Sequence, residues 1–191
     1  AVLPTEAELR VDYNQGLEPW EALPKLRDIE AFRPGFIEQP VPRDRRDAMA
    51  ELARALDTPL LADESVFTPA EALEMARHRF ADCVSIKLMK CGGLRRAQAI
   101  ASIAEAAGIA GYGGTMYEGG IAITAGIHLV CATPNISLGA EFYTASYVLG
   151  VDVLQAPVNL SDGHSHLPPG PGLGIAVNED AVREITTARW D

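Results

Sequence analysis

The chain has 191 residues and a formal net charge of −10, because 26 acidic side chains outnumber 16 basic ones. Apolar residues make up 48% and charged residues 22%, which is the balance of a folded globular protein with a sizeable core. The acidic balance argues against nucleic-acid and membrane partners, since both are bound through basic patches. The three cysteines show no CxxC spacing, which indicates reduced thiols in a cytoplasmic protein.

Short apolar runs alternate with helical patterns along the chain. The apolar runs predict strands at 9–13, 36–37, 59–62, 83–88, 109–112 and 136–138. The helical patterns predict helices at 19–31, 43–56, 68–77, 93–108, 119–131 and 180–187. The helix start at Thr68 is the clearest, because Pro69 follows it and Glu71 completes a capping box.

The polar residues that close the first four predicted strands recur at a regular interval. They are Asp12, Glu38, Asp63 and Lys87, spaced 26, 25 and 24 residues apart. Alternating βα units of this length predict a parallel sheet with right-handed crossovers. Six near-equal units without a glycine-rich dinucleotide motif favour an α/β fold of the TIM-type (β/α) barrel class over a Rossmann sheet. We expect residues 1–150 to form the barrel and 151–191 a loop and short helix packed on it.

Three of these strand-closing residues are carboxylates, namely Asp12, Glu38 and Asp63. The carboxyl ends of the strands form the active-site face of a parallel barrel, so we expect the three acids to converge there. Acids that converge repel and raise each other's pKa, and a hard divalent cation relieves this repulsion. An all-oxygen site suits Mg²⁺ or Mn²⁺. The alternative is that each acid is merely a solvated loop residue.

Lys87 closes the fourth strand and is the candidate proton carrier. Strand alternation places Ile86 and Leu88 on the opposite side, so Lys87 points toward the carboxylates. A lysine near a metal can serve as a general base. The alternative is a salt-bridged lysine that only balances the acids. Lys90 lies beyond the strand end and is the less favoured base.

Five motifs in register carry a family resemblance. They are Asp12-x-Asn14, Ile37-Glu38-Gln39-Pro40, Ala62-Asp63-Glu64-Ser65, Lys87-x-x-Lys90-x-Gly92-Gly93 and Gly114-Thr115-Met116-Tyr117-Glu118-Gly119-Gly120. With these motifs the chain resembles the enolase superfamily, specifically its muconate lactonizing enzyme subgroup. The resemblance extends over nearly the whole chain, to the Pro171-Gly172-Leu173-Gly174 segment.

The resemblance implies a role for each candidate site residue. It implies Mg²⁺ or Mn²⁺ held by the three strand-end carboxylates, and Lys87 as one of two lysines that flank a small-molecule carboxylate substrate. The proton α to that carboxylate would move through an enediolate stabilised by the metal. Glu64 would position Lys87 by a hydrogen bond or ion pair. The remaining candidates are Glu118 as a catalytic residue and Asn14, Met116 and Glu141 as substrate-binding residues.

The chain departs from the subgroup in what precedes its first strand. Members carry a Lys-x-Lys motif on the preceding strand and an N-terminal α+β capping domain, and this sequence contains neither. We therefore expect a partial barrel, made of the last six βα units plus the C-terminal tail. We also expect the chain to be a piece of a longer protein that forms a homo-oligomer.

The motifs do not separate the reactions of the subgroup. Dipeptide epimerases usually carry Asp-x-Asp after the sixth strand, whereas this chain has a single acid, Glu141, in Gly139-Ala140-Glu141-Phe142-Tyr143. This difference favours a muconate-type cycloisomerase. The alternatives are an N-acylamino-acid racemase or o-succinylbenzoate synthase, a dipeptide epimerase, or a metal-binding fragment that lacks the second lysine and is inactive.

Overall fold

The computed structural model describes residues 4, 6–143, 145 and 149–187. At its centre, five parallel strands form one sheet in the order β1-β2-β3-β4-β5. The strands are β1 (Arg10–Asp12), β2 (Phe36–Glu38), β3 (Leu60–Ala62), β4 (Cys83–Lys87) and β5 (Ala110–Gly114). The helices are α1 (Pro19–Glu30), α2 (Arg46–Ala55), α3 (Pro69–His78), α4 (Leu88–Cys91), α5 (Leu94–Ala106), α6 (Gly120–Ala132) and α7 (Glu179–Ile185). Strands in sequence order, each followed by a helix, confirm the predicted partial (β/α) barrel.

The start of α3 confirms the predicted capping box. The Thr68 hydroxyl accepts a hydrogen bond from the Glu71 amide at 3.2 Å, and the Glu71 carboxylate accepts from the Thr68 amide at 2.9 Å. Both bonds satisfy amides that the first helical turn leaves without partners. The helix stops where Arg79 adopts a left-handed conformation, with φ +52°.

Side-chain alternation gives the sheet two different faces. Ile37, Leu60 and Val84 point toward the helices and join the main hydrophobic core. On the opposite face, which corresponds to the barrel interior, four buried side chains form a second cluster: Phe36, Leu61, Cys83 and Tyr112. Residues two or four positions further along these strands, namely Glu38, Asp63 and Lys87, therefore carry charged groups to the carboxyl edge of the interior face.

The sixth strand predicted at 136–138 is wrong as a regular strand. The segment still runs alongside β5, since the Gly111 amide donates to the Asn135 carbonyl at 2.8 Å and the Glu141 amide donates to the Gly113 carbonyl at 3.0 Å. Only Ala140 forms a parallel bridge, with Gly113. Gly139, at φ +82°, departs from extended geometry and interrupts the strand.

The segment after residue 150 contains more structure than the predicted loop. Strands β6 (Leu160–Ser161) and β7 (His164–Ser165) form an antiparallel hairpin. Asp162 and Gly163 both have positive φ in its turn, the conformation that Asp-Gly favours in two-residue hairpins. The division of the chain at residue 150 stays a prediction, and parts of both predicted segments, residues 1–3, 5, 144, 146–148 and 188–191, lie outside the described residues.

Two observations concern membrane-spanning helices and the state of the cysteines. None of the helices in the described part of the chain has the length and apolar character needed to cross a membrane. All three cysteines are free thiols, with Cys83 and Cys91 buried and Cys131 exposed.

Candidate active site

The sheet register brings the strand-closing residues to one edge. Asp12 lies opposite Glu38 in the β1–β2 pair, and Lys87 lies opposite Gly114 in the β4–β5 pair. Asp63 follows the last residue of β3 directly. All of these positions lie at the carboxyl ends of parallel strands, where (β/α) barrels carry their active sites.

Two lysines bind the same carboxylate at this edge. The Lys87 ammonium lies 2.6 Å from Oδ2 of Asp63, and the Lys90 ammonium lies 2.7 Å from Oδ1. Lys87 Nζ also lies 3.8 Å from Oε1 of Glu38. We call Asp12, Glu38, Asp63, Lys87 and Lys90 the carboxylate–lysine cluster. Lys87 points toward the carboxylates, as strand alternation predicts.

Charge and burial act against each other in this cluster. Burial alone would raise the pKa of Asp63, but the ammonium groups of Lys90 and Lys87 outweigh it and hold that pKa below its usual value. Burial alone would lower the pKa of Lys87, but the negative charges of Asp63 and Glu38 raise it. Both groups are therefore charged at neutral pH, and Lys87 holds a proton at Nζ.

Glu38 is the least satisfied member of the cluster. Burial, followed by the charges of Asp63 and Asp12, raises the pKa of Glu38 to about 8. Its Oε1 is buried and has no hydrogen-bond partner. Partial desolvation also raises the pKa of Asp12, on the exposed edge strand β1. Buried acids of this kind are stabilised by an additional cation.

The donor set fits a hard divalent cation, although it is not a ready-made metal cage. Among the residues that the structure describes, no three His, Cys, Asp or Glu side chains are already arranged to hold a metal. Both oxygens of Asp63 bind lysines, which supply the positive charge in this state. The unpartnered oxygen of Glu38 and the oxygen-only donors nevertheless suit Mg²⁺ or Mn²⁺. The assignment of Asp12, Glu38 and Asp63 as ligands stays a prediction.

Two amide side chains orient the acids. The Asn14 backbone amide and Nδ2 donate to the two oxygens of Asp12, at 2.8 and 2.5 Å. Gln39, which is fully buried, accepts hydrogen bonds at Oε1 from the Asp63 and Ser65 amides, at 3.0 and 3.1 Å. Its Nε2 donates to the Ser65 hydroxyl at 2.8 Å and to the Val41 carbonyl at 2.9 Å. Sequence reasoning assigned no role to Gln39, although it lies within the Ile-Glu-Gln-Pro motif.

The expected contact between Glu64 and Lys87 is wrong. Glu64 Oε1 accepts from Gln15 Nε2 at 3.1 Å, whereas Lys87 binds Asp63. The reason is positional, because Asp63 directly follows β3 on its inner face and Glu64 lies in the turn beyond it. Burial raises the pKa of Glu64 above its usual value, and its Oε2 has no hydrogen-bond partner.

The candidates from the last two units occupy different places. The buried Glu118 carboxylate accepts a hydrogen bond from the Met116 amide, so it stabilises its own loop. The Met116 side chain is exposed beside it. The charge of the half-buried Glu141 is the smallest of the contributions that raise the pKa values of Lys87 and Glu38. The catalytic and substrate-binding roles of these residues stay predictions.

Gly114 provides the space through which Lys87 reaches Asp63. A Cβ atom at Gly114 would lie 2.8 Å from Cε of Lys87 and 3.0 Å from its Cγ. Real Cβ contacts are essentially never this close, so any larger residue would displace the lysine. Sequence reasoning gives Gly114 no separate role, because the pairing of β4 with β5 that places it opposite Lys87 is a tertiary property.

The sheet is built of parallel βα units, and its carboxyl edge carries three acids and a buried lysine. These features define the class of (β/α)-barrel proteins with a carboxylate–lysine site. The family model for Enolase C-terminal domain-like proteins matches residues 1–181. The chain belongs to this family. The resemblance to the enolase superfamily, drawn from the five motifs, is thereby confirmed.

Three known proteins illustrate the similarity. Muconate cycloisomerase 1 of Rhodococcus opacus is 41% identical over 184 residues, which cover 95% of this chain and 48% of that protein. The crystal structure of a muconate cycloisomerase from Azorhizobium caulinodans matches with a TM-score of 0.86 and 55% identity, over 93% of this chain and 50% of that one. L-Ala-D/L-Glu epimerase of Bacillus subtilis is 40% identical over 171 residues, which cover 88% and 46% of the two chains. The chain spans about half the length of the curated relatives it matches.

Proposed function

We propose that this chain forms the metal- and lysine-bearing half of the active site of a muconate-type cycloisomerase. The reaction would move a proton at the carbon α to a substrate carboxylate, through an enediolate form of the substrate. The observation that carries the proposal is the buried pair of Lys87 and Asp63, with Nζ and Oδ2 2.6 Å apart beside the unpartnered oxygen of Glu38. A proton donor and acids that suit a cation thus lie within one buried group.

Lys87 would serve as the acid and base of the reaction. Its ammonium holds a proton at Nζ, and Glu38 and Asp63 fix the position of that group. Asp12, Glu38 and Asp63 would hold Mg²⁺ or Mn²⁺, which when bound would stabilise negative charge on the substrate carboxylate. Sharing these carboxylates with a cation removes the charge that raises the pKa of Lys87, so the lysine would become able to accept a proton as well as give one.

The proposal also covers the substrate, the cellular location and the oligomeric state. We propose a small-molecule carboxylate as substrate, held near Asn14, Met116 and Glu141, with no nucleic-acid or membrane partner. The three free thiols support a cytoplasmic location. We also propose that the full-length protein acts as a homo-oligomer, which light scattering after size-exclusion chromatography would measure.

Turnover of cis,cis-muconate by the full-length protein tests the proposal. We expect the absorbance of the conjugated diacid to fall in the presence of Mn²⁺, and to stay constant when a chelator is added. Lys25→Met is the matched control for Lys87→Met, since Lys25 lies on the exposed surface of α1. Lack of turnover by the full-length protein at full Mn²⁺ loading would contradict the cycloisomerase assignment.

A second candidate is a racemase or epimerase of the same family. The 40% identity to L-Ala-D/L-Glu epimerase supports it. The single acid Glu141 in the segment after β5 argues against binding a dipeptide ammonium there. Proton exchange at the α carbon of an N-acylamino acid or a dipeptide, followed by NMR in D₂O, would separate these activities from lactone formation.

A further inference from the structure

Lys90 makes three hydrogen bonds in the interior of the protein. Its ammonium donates to the Asp63 carbonyl at 2.9 Å, to Oδ1 of Asp63 at 2.7 Å and to the Ser85 carbonyl at 2.7 Å. An ammonium has three protons, so its donor capacity is used completely. The side chain is 2% exposed, and the Phe67 ring lies 5.8 Å from Nζ. Few lysines are buried so fully, because burial of an unpaired charge is costly.

The acceptors of Lys90 lie on two neighbouring strands. Ser85 lies within β4, whereas Asp63 follows the end of β3. Lys90 itself lies on the one-turn helix α4, which Gly92 ends with φ +80°. The ammonium therefore ties β4, the end of β3 and α4 together at a single point. It holds both the backbone and the side chain of Asp63.

Lys87 is bound much less completely. Among the described residues, its ammonium has one hydrogen bond, to Oδ2 of Asp63, and an ion-pair contact with Glu38 at 3.8 Å. Two of its protons are therefore free for a substrate. The two lysines differ in function for this reason, since a proton carrier must be able to exchange partners whereas a fully bonded ammonium cannot.

We propose that Lys90 is a positioning residue that fixes the Asp63 carboxylate for cation binding. By holding Oδ1 and the backbone carbonyl, Lys90 fixes the orientation of the carboxylate, so that Oδ2, which binds Lys87 in this structure, is the oxygen that can exchange its partner for a cation. This inference rests on the proposed function insofar as Asp63 is a metal ligand. It adds a residue that sets metal affinity without touching the metal or the substrate, as groups that orient metal ligands do.

Mn²⁺ binding to the full-length protein, followed by the electron paramagnetic resonance of free Mn²⁺, tests the proposal. Removal of a group that orients a ligand typically weakens metal affinity about 10- to 100-fold, and we expect Lys90→Met to do so. Lys25→Met is the matched control, because it removes the same charge from an exposed ion pair, and its affinity should equal that of the wild type. Thermal unfolding without metal reports whether Lys90→Met is folded.

Lys90→Arg keeps the proposal testable if Lys90→Met does not fold. A planar guanidinium cannot place its donors on three acceptors that converge on one point, so we expect Mn²⁺ affinity to fall several-fold while the charge is kept. Wild-type affinity in Lys90→Arg, or in a folded Lys90→Met, would overturn the proposal, as would a wild-type protein that does not bind Mn²⁺. Wild-type protein that binds Mn²⁺ but leaves all substrates unchanged would contradict the proposed function alone.

Discussion

Gly114→Ala is the substitution that most directly tests how the candidate site is built. The added Cβ would lie 2.8 Å from Cε of Lys87 and 3.0 Å from Cγ, along the path of the side chain to Asp63. Overpacking of this kind costs about 1–3 kcal/mol. If Lys87 leaves its position to relieve the contact, its correctly placed fraction falls by about 5- to 150-fold, since about 1.4 kcal/mol is a factor of ten. We expect turnover to fall by the same factor.

Gly113→Ala is the matched control, because its Cβ points to the other face of β5. It would lie 2.7 Å from Cγ2 of Val130 and 2.9 Å from Cβ of Ala140, away from Lys87. We expect this variant to lose thermal stability while keeping its turnover per folded molecule. NMR with ¹⁵N-labelled lysine can follow Nζ of Lys87, whose resonance is the one that Lys87→Met removes. An unchanged Lys87 resonance together with full activity in Gly114→Ala would refute the reasoning.

Three further predictions concern other residues. Lys87→Met should lower turnover about 10²- to 10⁴-fold without weakening Mn²⁺ binding measured by titration. Gln39→Met leaves the Asp63 and Ser65 amides without partners and should lower the free energy of unfolding, measured with urea, by about 2 kcal/mol or more. The third prediction concerns the pKa of Glu71. Burial alone would raise this pKa, but hydrogen bonds from Phe67 and Thr68 outweigh burial and hold it below its usual value of 4.5. Its stabilisation is therefore complete above pH 4.5 and lost as the pH falls through the lowered pKa, so urea unfolding of Glu71→Gln should lack this acid dependence.

The sequence predicts the strands and the direction of Lys87 because both follow from strong local rules. A regular interval of about 25 residues sets the βα repeat, and the two-residue period of β4 sets the face on which Lys87 lies. The cap at Thr68 was equally predictable, because its two hydrogen bonds involve residues only three positions apart. These features need no knowledge of which elements meet in space.

The contacts of Glu64 and Lys90 were not predictable in this way. The position of Lys90 depends on the single turn of α4, and the sequence Leu-Met-Lys-Cys carries no cap or periodicity that indicates a helix. The sequence predicts a contact between Glu64 and Lys87, whereas Asp63, one residue earlier, lies on the inner face of the sheet and binds that lysine. In both cases the outcome depends on how two strand ends meet, which is a tertiary property.

The three acids differ in how firmly the fold holds them, and this difference explains the Asp-x-Asn motif. Asp63 is fixed by two ammonium groups and by Gln39 acting on its backbone, so its place is set by several elements at once. Asp12 is held within its own turn by Asn14, whose φ of +44° is one that asparagine tolerates better than most residues. An asparagine two residues after the acid can adopt this backbone and donate two hydrogen bonds to the carboxylate. The local turn thus gives Asp12 the kind of orientation that Asp63 receives from the rest of the sheet.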